Sequence, residues 1–123
     1  MKYKYTWQEL KRNDSDILRV TANAHLQLMT DESGLILDEE YVPLLDLVGK
    51  IGDWGFSGYF EYSPDGYEEN PMLSFLPQEG RFRVDSPDIR TSGENVVVDK
   101  NELVSFHRKL SQDMSKDVEI LSH

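Results

Sequence analysis

Residues 18–54 read LRVTANAHLQLMTDESGLILDEEYVPLLDLVGKIGDW, and the period of the apolar residues changes once along them. Up to Leu28 the period is two. Leu18, Val20, Ala22, Ala24, Leu26 and Leu28 share one face of an extended chain, and Arg19, Thr21, Asn23, His25 and Gln27 share the other. This alternation predicts a half-buried strand over 18–29. Thr30 to Gly34 is rich in turn formers and Leu35-Ile36-Leu37 follows, so a hairpin partner is expected at 35–38. After Pro43, which suits a first helical residue, the period becomes helical. Leu44, Leu47, Val48 and Ile51 follow the i, i+3, i+4, i+7 spacing, Leu45 and Trp54 widen the stripe, and Asp46 to Lys50 is a favourable i,i+4 pair. Gly49 and Gly52 inside a helix over 43–53 cost about 1 kcal/mol each relative to Ala, which predicts close approach to a strand or termination near Gly52 to Gly55. A hairpin that feeds a helix packed on it is the start of an α+β fold.

Working outward, Phe56, Gly58, Phe60 and Tyr62 alternate with Ser57, Tyr59 and Glu61, a strand signal over 56–62. Ser63-Pro64-Asp65-Gly66 is a turn, and its loop runs on through Pro71, longer than an ordinary hairpin connection. Strands are expected at 72–76 and 81–85, joined around Gln78-Glu79-Gly80, and Ser86 to Asn95 reads as a second polar loop. Asp99-Lys100-Asn101-Glu102 resembles a capping box, and Leu103, Phe106, Leu110 and Met114 give an amphipathic helix over 100–115. Upstream, Lys2 and Lys4 alternate with Tyr3, Tyr5 and Trp7 as in a short edge strand. Thr6-Trp7-Gln8-Glu9 forms a competing capping box, and the balance of the two signals favours one or two helical turns ending near Arg12. The expectation is a single α+β domain over 1–123, with a mostly antiparallel sheet of about five strands and two main helices packed on one face.

Charge is distributed unevenly over this frame. Residues 31–80 hold twelve carboxylates against Lys50 alone, whereas the rest of the chain is nearly neutral, and the total is −10. Phosphate neutralisation needs clustered Lys and Arg, so direct binding to DNA, RNA or an anionic membrane is disfavoured and a cationic partner suits better. There is no Cys, which excludes disulfides and thiolate metal sites. The N-terminal MKYKYTWQEL lacks an apolar secretion core and no stretch reaches the length of a membrane span, so a soluble cytoplasmic protein is expected.

Catalytic chemistry finds little footing in the pattern. His25 lies on the polar side of a strand, His107 flanks the apolar stripe of the last helix, and His123 is terminal; none has a partner at metal-ligand spacing. No nucleophile elbow or phosphate-cradling glycine loop is present. Among twenty-three acids some pair falls at any chosen separation, which empties the carboxylate-pair signal of glycosidases. Asp85, Asp88 and the Asp65 to Glu69 loop carry oxygen ligands a metal could use, but Ser63-Pro64-Asp65-Gly66 is a turn first and lacks the alternating oxygen ligands of a calcium loop. No catalytic residue, metal or cofactor is therefore assigned. An acidic surface that serves only solubility is the plain alternative. Against it, the acids are confined to one stretch, flank a long loop, and interleave with Tyr59, Tyr62 and Tyr67, here read as exposed. Carboxylates around aromatic rings suit capture of a Lys- or Arg-rich surface. The candidate partner-binding residues are Asp38, Glu39, Glu40, Glu61, Tyr62, Asp65, Tyr67, Glu68 and Glu69.

The layout also resembles small uncharacterised bacterial families, several of which are thought to act as immunity proteins beside secreted polymorphic toxins. The resemblance rests on the hairpin Leu26 to Leu37, the helix Leu44 to Trp54, Phe60 to Tyr62, Leu73 to Phe75, Arg83 to Ser86, and Glu102-Leu103 at the start of the last helix. A tryptophan often stands where this chain has Phe82. What the resemblance implies is neutralisation of one cognate toxin by tight binding, without shared catalytic residues. The expected function is thus a non-enzymatic acidic binding protein, an immunity protein whose partner is a basic toxin domain such as a nuclease. The alternatives are a nucleic-acid-mimic inhibitor from a phage or mobile element, and a small enzyme using a carboxylate pair.

Overall fold

The computed structural model describes residues 1–12, 20–69 and 71–120. Leu18, Arg19 and His123, which entered the sequence reading, lie outside them. In chain order the elements are β1 (Lys2–Arg12), β2 (Val20–Thr30), β3 (Gly34–Pro43), α1 (Leu44–Trp54), β4 (Phe60–Tyr62), β5 (Leu73–Gln78), β6 (Arg81–Asp85), α2 (Pro87–Ser92), β7 (Val96–Val98) and α3 (Lys100–Ile120). The class is α+β, and every strand pairing is antiparallel. The strands form two sheets, β1-β2-β3 and β4-β5-β6-β7, where one sheet of about five strands was expected. The division has a simple cause. In each half of the chain, strands consecutive in sequence pair with one another, and α1 intervenes between the halves, so β3 and β4 do not pair.

β2 is built as its alternation requires, with Ala22, Ala24, Leu26 and Leu28 buried. β3 is less regular. Leu28 pairs with Leu37 but Met29 pairs with Leu35, so Ile36 is an extra residue, and the bulge allows the consecutive Ile36 and Leu37 both to be buried. A second irregularity sets Glu40 and Tyr41 against His25. β3 then runs directly into α1, which buries Leu44, Leu47, Val48 and Ile51 between the sheets and α3. At its end Trp54 lies against Phe60, Phe75 and Phe82 of the second sheet, with ring centroids 5.2–5.6 Å apart, and donates its indole N–H to the Gly58 carbonyl. Gly55, at φ 72°, closes the helix as its left-handed cap. Phe56 and Gly58 also take positive φ, which breaks the extended path, so the strand expected over 56–62 shortens to 60–62.

α3 crosses α1 at Gly52, where an added Cβ would meet the His107 ring at 3.4 Å. His107 Nε2–H donates to the Val48 carbonyl at 3.0 Å. The close approach expected at Gly52 is therefore made by a helix, and Gly49 faces open space. Half of the expected capping box is present at the start of α3. Glu102 accepts from the Asp99 N–H, while the Asp99 carboxylate is taken by Arg81 at 2.7 Å.

Lys2–Arg12 is a strand, the less favoured of the two readings, and no helical turn forms there. Tyr3, Tyr5 and Trp7 all lie on α3: Tyr3 donates to Asp113, Tyr5 to Asp117 at 2.7 Å and the Trp7 indole to the same Asp117 at 2.8 Å. Ten backbone pairings with β2 and this aromatic stripe outweigh a capping box that would have satisfied two local donors. The expected loop at 86–95 holds the short helix α2, and the unforeseen β7 follows it. Ser86, fully buried, caps α2 by accepting from the Ile89 N–H at 3.2 Å and donates to the Ile36 carbonyl of β3 at 2.5 Å. Asp88 accepts from the Asp38 N–H at 2.9 Å. Ile36 and Asp38 are edge groups of β3, so the side chains of the cap Ser86 and of Asp88 in α2 stand where a further strand would.

Substitutions at two residues test these joints. Ser86→Ala removes a cap and orphans a carbonyl, and is expected to cost about 1–3 kcal/mol, read as a lower urea midpoint with unchanged slope. Asp117→Ala leaves the Tyr5 hydroxyl and the Trp7 indole without their acceptor and should destabilise by a similar amount, whereas Asp117→Asn keeps an acceptor and should cost less.

Candidate functional site

Part of the acid-rich stretch, Asp46, Glu61 and Asp65, meets along α1. The end of β3, the outer side of α1 and the β4–β5 loop enclose a groove of about 950 Å³. Its lining includes Tyr41, Asp46, Glu61, Tyr62, Asp65 and Tyr67, together with Asn23 and Lys50. Asp46 projects outward because the helical period that buries Leu44, Leu47 and Val48 leaves it exposed. The loop is held from behind by Arg90, whose guanidinium pairs with Asp85 at 2.7 Å and donates to the carbonyls of Glu69 and Pro71.

Four of the nine residues singled out from sequence line this groove: Glu61, Tyr62, Asp65 and Tyr67. Glu39 joins them as acceptor of the Tyr67 hydroxyl at 2.5 Å. The remaining four stand apart. Asp38 lies beside His25, with Oδ1 2.5 Å from Nε2, among the outward residues of the first sheet. Glu40 is exposed on the β3 irregularity, and Glu68 and Glu69 line a separate shallow hollow with Arg90. Asp53, exposed at the end of α1, also falls outside the groove lining.

Tyr62 requires correction as an exposed aromatic. It is 4% exposed, because β4 alternates and Phe60 and Tyr62 both point into the core while Glu61 points out. Only its hydroxyl reaches the groove, donating to Asp46 at 2.9 Å. Tyr67 is half-buried by the same kind of contact. The accessible rings are Tyr41, 58% exposed on the groove wall, and Tyr59, whose hydroxyl donates to Glu61 at 2.7 Å. Tyr41 was missed, although its place directly after Asp38-Glu39-Glu40 in a strand was a usable signal.

These contacts fix protonation. Burial, then the hydrogen bond to Asp46 and the charges of Asp46 and Asp65, push the Tyr62 phenol well above its ordinary value. Burial, the bond to Glu39 and the charges of Glu39, Glu69 and Asp88 do the same to Tyr67. Both phenols therefore remain donors at any physiological pH, and each leaves its carboxylate with lone pairs directed at solvent. The groove thus sets Asp46, Glu61 and Asp65 beside the open ring of Tyr41, with Lys50 as a basic residue in the same lining. Among the described residues, no group of three His, Asp or Glu stands close enough to hold a metal ion, and no helix is long and apolar enough to cross a membrane.

A family model described as a domain of unknown function, DUF7878, matches residues 1–120. The chain belongs to the DUF7878 family. The match covers both sheets and all three helices, so the groove is part of the DUF7878 domain itself. Comparison of this DUF7878 chain with curated proteins and with solved structures finds no match.

The phenols give a pH test. Tyr3 is pushed up to about 12 by burial and by Asp113, Tyr5 is raised further by burial and Asp117, and Tyr62 and Tyr67 are raised as above. A folded-state value above the unfolded value of about 10 contributes stability that is complete below about pH 10 and is lost as pH rises beyond it. In an alkaline titration, a large part of the phenolate absorbance is expected to appear only together with cooperative unfolding. Gradual ionisation of all six tyrosines in a folded protein would contradict these contacts.

Proposed function

We propose that this protein is a non-enzymatic acidic binding protein that blocks a basic protein partner, in the manner of an immunity protein neutralising a cognate toxin such as a nuclease. The observation that carries the proposal is the groove, in which Asp46, Glu61 and Asp65 line one concavity with the exposed ring of Tyr41 and with Glu39 held close by through Tyr67. Scattered surface acids contribute about 0–1 kcal/mol each, but acids grouped opposite a complementary patch raise association rates and fix orientation. Nucleases need basic active sites to hold phosphate, and such sites are natural targets for a surface of this sign. The tyrosine hydroxyls hold Asp46 and Glu39 in place, which lowers the entropy lost when a Lys or Arg side chain is bound. Tyr41 supplies a ring for cation–π contact at the groove wall. Glu68, Glu69, Asp38 and Glu40 act at a distance, as parts of the attracting field.

The test pairs the protein with the product of its neighbouring gene and follows association by surface plasmon resonance. Association is expected to slow about tenfold or more between low and high salt. The double reversal Glu61→Lys and Asp65→Lys should weaken binding most, Glu68→Lys and Glu69→Lys should act mainly on the association rate, and His25→Ala should have no effect. Absence of binding, or salt-independent binding untouched by the groove reversals, would refute the proposal.

A further inference from the structure

We draw no further inference here: the strongest candidate, the apolar groove of about 540 Å³ between α1 and α3 lined by Leu45, Val48, Met114 and Val118, carries nothing because nothing in the structure shows what covers it.

Discussion

Burial of one helical stripe, Leu44, Leu47, Val48 and Ile51, is the constraint on which the rest of this structure depends. α1 is the only chain link between a three-stranded and a four-stranded sheet, and neither sheet alone has a partner for its apolar face. With α1 in place, β2 and β3 meet it from one side, β4 and the Trp54-lined sheet from another, and α3 closes the remainder through His107 and Gly52. Each fully buried Leu or Ile is worth about 1.5–3 kcal/mol, so the stripe supplies an amount comparable to the whole net stability of a small domain. The Ser86 and Asp88 contacts to β3 then tie the second half of the chain to the first at a point remote from α1.

What could be read from sequence was whatever repeats over several residues. The two-period of Ala22 to Leu28 and the helical period of Leu44 to Ile51 and of Leu103 to Met114 each commit a face to the core, and the structure uses those faces. What could not be read depends on residues distant in the chain. The Thr6–Glu9 capping box is a sound local signal, but the competing claim on Tyr3, Tyr5 and Trp7 comes from Asp113 and Asp117, more than a hundred residues away. α2 and β7 are short, so periodicity has no length to work over; α2 is specified by the Ser86 cap and Pro87, and β7 by pairing with β6. The split into two sheets is invisible to any pattern, since each strand alternates in the same way in either arrangement.

The candidate site shows the same division in sharper form. That the acids of residues 31–80 decorate a folded centre was legible, and so was the outward direction of Asp46. Which acids meet was not, because β3 and the β4–β5 loop approach one another only after α1 turns the chain. Tyr62 is the instructive case. Its place in a run of acids suggested an exposed anchor, yet the alternation that puts Glu61 outside requires Tyr62 inside, and the strand signal already contained that answer.

All six tyrosines donate to a carboxylate: Tyr3 to Asp113, Tyr5 to Asp117, Tyr41 to Glu9, Tyr59 to Glu61, Tyr62 to Asp46 and Tyr67 to Glu39. A chain with twenty-three acids and thirteen strong bases cannot neutralise its carboxylates by ion pairs, and much of its surface charge must remain. A phenol satisfies a carboxylate without cancelling it: the hydrogen bond fixes the group while the full negative charge persists. The proximity of aromatic residues to acids in this sequence is thus first a structural device, since Tyr3 and Tyr5 use it to dock β1 on α3, far from the groove. In the groove the same device has a different consequence. Asp46 and Glu39, held by Tyr62 and Tyr67, keep their charge in a fixed position, which is the condition under which an acidic surface discriminates among cationic partners.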